Sequence, residues 1–132
     1  MVSAAASAIW LLPETVTLRR KIHEYPELGL HLPKTVAAVR EALSGLDVKI
    51  ETGPSTSGMI VTLQGPTQGR TVLLRGDMDA LPIHETTNLP YASKSPGKMH
   101  ACGHDGHTTM LLGTARYLAE TRNFDGTVHF IF

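Results

Sequence analysis

The chain has 132 residues, and twelve Lys and Arg balance twelve Asp and Glu, so the net charge is zero with histidine neutral. That length suits one domain able to bury roughly two-thirds of its unfolded surface, and the balanced charge offers no basic field for nucleic acid or an anionic membrane surface. A single cysteine forms no internal disulfide, so the chain needs no oxidising compartment and a cytoplasmic protein is the default.

Residues Met1 to Pro13 are mildly apolar but lack the basic start and long apolar run of a signal peptide. They are expected to form an arm that packs on the fold. No stretch reaches the roughly 20 apolar residues of a membrane span. Pro13 to His23 reads as a first helix, with Val16, Leu18 and Ile22 on one face and Pro26 as its stop. Pro33 suits the first turn of a second helix. Val36, Val39, Ala42 and Leu43 give it an apolar face, and Gly45 ends it. Val48 to Thr52 and Met59 to Leu63 read as strands separated by Gly53-Pro54. After the turn cluster 65–69, Thr71 to Leu74 is a more continuously apolar strand, the pattern of a buried position.

A long irregular stretch follows, from Arg75 to Gly106, and loops of that size tend to be functional or disordered. Thr108 to Thr121 then reads as a helix with Met110, Leu111, Ala115, Leu118 and Ala119 inward. Asp125-Gly126 turns the chain into a last strand, Thr127 to Phe132, which is expected to leave an exposed apolar edge or face open to self-association or to pairing with a further segment. The strand–helix–strand order predicts a parallel βαβ crossover. The fold class is therefore α/β, a mixed sheet with flanking helices. Ligands in such sheets bind beyond the carboxyl ends of the strands, where topology can bring the two ends of the long loop to one crevice.

Those ends carry the chemistry. Cys102 and His104, two apart in a Gly-containing turn, offer a thiolate and an imidazole to one metal ion. The plain alternative is an inert cysteine among helix-capping residues. Asp77 and Asp79 point the same way on an extended segment. They can ligate a metal, orient a ligand histidine, bind a cation, or simply cap a solvated turn. His23, His31, His84 and His129 are scattered and read as surface or packing residues. His100 is either a hydrogen-bond donor or substrate contact, or a structural residue.

Three segments occur in order: His23-Glu24-Tyr25-Pro26-Glu27-Leu28-Gly29, then Leu74-Arg75-Gly76-Asp77-Met78-Asp79-Ala80-Leu81-Pro82, then Met99-His100-Ala101-Cys102-Gly103-His104-Asp105-Gly106-His107. Together they resemble the N-terminal part of the M20 metallopeptidase family, in the amidohydrolase branch that cleaves N-acyl amino acids. The resemblance implies a zinc-peptidase-like catalytic domain with two divalent ions, Zn or Mn, held in part by Cys102 and His104, the thiolate bridging them. It implies that Asp79 is the catalytic-site aspartate that supports the metal centre, with Asp105 and His107 in supporting roles and Asp77 where other branches place a ligand histidine. The implied reaction is hydrolysis of the amide bond of a small N-acyl amino acid or peptide, by an enzyme that is a homo-oligomer when complete. The family places a glutamate pair, further histidine ligands and a lid domain beyond the position of Phe132. Residues 1–132 are accordingly expected to form a partial catalytic domain with little activity on its own. The competing expectation is a non-catalytic metal-binding or interaction module.

Overall fold

Helix α1 spans Ala4–Glu24 in the structure, a computed structural model that describes residues 4–132, with side chains from Leu12 onward. The expected N-terminal arm lies partly outside these described residues. Where it is described it is helix, and α1 passes through Pro13 instead of starting there. Proline lacks the N–H that an interior position would donate. The carbonyl of Pro13 accepts from Thr17 Oγ1 at 2.9 Å.

Helix α2 (Pro33–Leu43) begins on its proline as predicted. Leu32 at its N-cap makes no side-chain capping bond. Glu27 takes that role from outside the helix: its carboxylate accepts from Lys34 N at 3.1 Å, Thr35 N at 2.8 Å and Thr35 Oγ1 at 2.9 Å. Free amide groups and the positive end of the helix dipole both favour this placement. Gly45, just beyond the helix, takes φ +79°, the left-handed turn that glycine accepts without strain.

Strands β1 (Lys49–Thr52), β2 (Met59–Gln64), β3 (Thr71–Arg75) and β4 (Thr127–Ile131) form one sheet in the order β1-β2-β4-β3. The β1–β2 and β2–β4 pairs are antiparallel, whereas β3 and β4 are parallel, joined through α3 (His104–Thr121) as the crossover order predicted. Period-two alternation sorts the strands into two faces. Met59, Val61, Leu63, Val128 and Phe130 point toward the helices and are buried, and they close a core with Val39 and Leu43 of α2 and Leu111, Leu112 and Ala115 of α3. Each fully buried side chain of this kind contributes about 1.5–3 kcal/mol. Helix α1 packs along α3.

Three expectations fail here. The apolar strand β3 is an edge strand: Val72 is 50% exposed and Leu73 58%. A run of apolar residues carries no period, so it cannot report whether both faces are covered. Conversely β4 lies inside the sheet, with Phe130 at 0% and Phe132 at 7% exposure. The exposed apolar edge therefore belongs to β3. Met110 also departs from its predicted inward place, at 64% exposure. Leu111 and Leu112 fill the core-facing positions of that turn instead.

No helix among the described residues is long and apolar enough to cross a membrane.

Candidate metal centre

Gly76 sets the geometry of the site. It closes β3, with its N–H donating to Ile131 O at 2.9 Å. A Cβ placed on it would lie 2.9 Å from His107 O and 3.3 Å from Leu111 Cδ2. Only a residue without a side chain lets the strand end lie this close to the first turn of α3. Gly76→Ala is expected to cost about 1–3 kcal/mol in urea unfolding, the usual penalty for overpacking, and to push Asp77 away from α3. A variant with unchanged stability would show that the contact yields easily.

With that approach made, Asp77 and Asp79 reach the start of the helix. His107 Nδ1 lies 3.2 Å from Asp77 Oδ1, and Thr108 Oγ1 donates to Asp77 O at 2.8 Å. Arg75 Nη1 donates to Asp77 Oδ2 at 3.1 Å. A hydrogen bond from the backbone first, then His107, Arg75 and the charge of His104, hold the Asp77 carboxyl below its ordinary value against the opposing effect of burial. His104 Nδ1 faces two oxygens of Asp79, Oδ1 and the main-chain O, each at 2.9 Å. Both oxygens accept, so Nδ1 carries the hydrogen and Nε2 keeps its lone pair for a ligand.

The predicted helix starts at Thr108; the observed one starts at His104. Gly103 in the left-handed region at φ +83° opens it, and Asp105 supplies a negative charge in the first turn, where the dipole favours it. Those four extra residues matter. They put His104 and His107 one turn apart, rings stacked with centroids 5.5 Å apart. One ligating atom each from Asp77, His104 and His107 then falls within 4.8 Å of the others. The His104 side chain is 16% exposed and that of His107 47%, so the group opens to solvent.

Of the residues singled out from sequence, His104 stands in this group and Asp79 orients it. Cys102 is an exposed free thiol in the turn before Gly103, and its sulfur lies outside the group. Asp77 and His107 enter the group. The i, i+3 spacing of His104 and His107 was the signal for the latter, usable only with the helix start in place. Two imidazoles and a carboxylate suit a borderline or hard divalent ion such as Zn²⁺ or Mn²⁺. The donor set fits such an ion.

A second cluster lies behind the first turn. Asp105 is fully buried. Its Oδ2 lies 2.7 Å from both Arg19 Nε and His23 Nδ1, and its Oδ1 accepts from Gly106 N at 2.9 Å. His23 Nε2 faces Glu85 Oε1 at 3.2 Å. His23 therefore links two carboxylates, a role its scattered position did not suggest. Nearby His100 is 3% exposed, and neither ring nitrogen has a hydrogen-bond partner among the described residues. His31 and His84 are exposed as expected, and His129 pairs with Thr62 Oγ1 at 2.9 Å.

Comparison with known proteins finds relatives of this chain. A family model described as Peptidase family M20/M25/M40 matches residues 73–132. The N-acyl-L-amino acid amidohydrolase of Geobacillus stearothermophilus is 42% identical over 120 residues, which cover 90% of this chain and 32% of that protein. Hippurate hydrolase of Campylobacter jejuni is 42% identical over 129 residues, covering 92% and 33%. A crystal structure from Bacillus subtilis, described as a dinuclear metal binding peptidase from the M20 family, superposes with a TM-score of 0.87 at 42% identity, covering 94% of this chain and 35% of that one. The chain thus spans about a third of the length of these curated relatives.

Proposed function

We propose that this chain, whose residues 73–132 match the model of peptidase family M20/M25/M40, supplies part of the catalytic domain of a metal-dependent amidohydrolase of that family acting on N-acyl amino acids. The products are a free amino acid and an acid. The observation that carries the reading is the setting of His104: Asp79 holds its Nδ1 and so fixes its tautomer, and the ring stands in one donor group with Asp77 and His107. A carboxylate behind a metal-binding imidazole fixes the ring and raises its basicity.

We assign His104 and Cys102 as ligands in a centre for two divalent ions, Zn or Mn, and Asp79 as the residue that orients the histidine. Asp77 and His107 complete the local donor group. When loaded, such a centre polarises an amide carbonyl and makes water a nucleophile near neutral pH. The protein's own part is positional. Arg75 helps aim Asp77, and Thr108 holds the Asp77 main chain against α3. The relatives' names point to small N-acyl amino acids as the substrate class. One free cysteine suits a reducing compartment, hence the cytoplasm. The exposed edge of β3 is consistent with a homo-oligomer.

The test is hydrolysis of a panel of N-acetyl and N-benzoyl amino acids by the intact gene product loaded with Zn²⁺ or Mn²⁺. Release of amino acid from at least one substrate, abolished in His104→Ala, is the expected result. A folded, metal-loaded protein that releases none sinks the reading. Tight metal binding without turnover would favour a non-catalytic metal-binding module instead.

A further inference from the structure

The segment from His23 to Gly29 is the one sequence motif that the proposed site leaves unused. Its residues hold three parts of the chain together. Glu27 caps α2 through its side chain, and its main-chain O accepts from Ala80 N at 2.8 Å. Glu24 O accepts from Lys94 N at 2.8 Å, and the Glu24 side chain pairs with Lys94 Nζ at 2.7 Å. His23 reaches furthest. Its Nδ1 meets Asp105, 82 residues away, and its Nε2 meets Glu85. The side chains of His23, Asp105 and Glu85 are 4%, 0% and 2% exposed. Glu85 in turn accepts from Ser93 N at 2.6 Å, closing the loop on itself.

This cluster lies immediately behind the metal group. His104 and Asp105 are neighbours on the first turn of α3. His104 is drawn to Asp79 on one side, and Asp105 to Arg19 and His23 of α1 on the other. A helical turn held by two adjacent side chains in two directions has its roll about the helix axis fixed. That roll decides where the lone pair of His104 points. His23 itself, through Glu85, holds the loop that carries Asp79 on its upstream end.

Resting on the metal-centre reading above, we infer that His23, with Asp105 and Glu85, is a positioning device for the metal site: it sets the orientation of His104 and thereby the affinity of the site for a divalent ion. Burying charged groups is costly and is compensated only by good geometry. All three side chains here have that geometry. Arg19 adds a cation on Asp105 and lies over the Tyr91 ring at 5.5 Å. A fold that needed only packing between α1 and α3 would place apolar side chains there.

The experiment is titration of the intact, metal-free gene product with Co²⁺, followed by its visible ligand-field bands and by calorimetry. His23→Leu is expected to weaken binding by roughly tenfold or more, the range seen when groups behind metal ligands are removed, and to change the band positions. Glu85→Gln keeps shape and is expected to show a smaller loss in the same direction. Val39→Ala, a core variant away from the site, serves as the control: it lowers thermal stability but should leave Co²⁺ affinity and spectrum unchanged. If His23→Leu fails to fold, Glu85→Gln against that control decides the question. Folded His23→Leu and Glu85→Gln with wild-type affinity and spectrum would overturn the inference while leaving the metal centre intact. Absence of Co²⁺ binding in the unaltered protein would remove the metal centre and the inference with it.

Discussion

Asp105→Ala is expected to lower the free energy of unfolding by about 3–5 kcal/mol, the range for breaking a buried charge pair from one side. Against a typical total of 5–15 kcal/mol, that is a large share. The reason is what the truncation leaves behind. Asp105 accepts from Arg19, His23 and the Gly106 N–H. Without it, the Arg19 head retains some access to water, its side chain being 34% exposed, but His23 at 4% does not. Its Nδ1 would lose its partner inside the protein. The cut also removes a negative charge from the start of α3, a smaller loss of ~0.3–1 kcal/mol. Asp105→Asn should cost less, because the amide oxygen still accepts. Urea unfolding followed by far-UV circular dichroism reads both. A cost below about 1 kcal/mol for Asp105→Ala would mean that the cluster is held from elsewhere.

That expectation rests on a residue that looked secondary in the chain, and the reason is physical. Local pattern reports local structure. The apolar faces of α2 and of β2, the turn at Asp125-Gly126 and the βαβ order are set by neighbours within a few residues, and all were readable. So was the meeting of the two chemical segments, because parallel crossovers send strand ends and helix starts to the same edge. The pairing of His23 with Asp105 spans 82 residues and leaves no period to detect. Edge position is equally silent: Val72 and Leu73 read as buried because apolarity was taken for coverage, while sheet order is decided by β4 pairing with both β2 and β3. The start of α3 was lost for a narrower reason. The turn around Gly103 and Gly106 reads as a loop until Asp105 is seen as the charge on a helix start. Once α3 begins at His104, His107 joins the group by helical geometry alone.

The protein should also lose stability in mild acid through His100. Burial first, then the charges of His23, His104 and Arg19, push the imidazole down from 6.5 to about 4, with only Asp105 opposing. A histidine whose folded value is depressed binds fewer protons in the folded than in the unfolded state, so stability falls as pH falls. Above pH 6.5 both states are neutral at this group and its contribution is complete. Between 6.5 and about 4 the unfolded chain takes up a proton that the folded protein refuses. The gap of about 2.5 pH units, at ~1.36 kcal/mol each, comes to about 3 kcal/mol. Two carboxylates act in the same direction but lower. Burial raises Glu85, yet hydrogen bonds from Thr87, Ser93 and His23 outweigh it and hold it below 4.5, and Asp77 is held below 3.8. Their losses begin where that of His100 is nearly complete, so the windows separate. His100→Leu isolates the effect. Neither nitrogen of His100 has a partner among the described residues, and exchanging an unpaired buried polar group for an apolar one of similar size is neutral or stabilising. The variant should therefore match or exceed the parent at pH 7.5, and its unfolding midpoint in urea should stay flat between pH 6.5 and 4.5 while that of the parent falls. Parallel profiles for the two proteins would show that the acid sensitivity arises at another group and that His100 shares its proton with a partner.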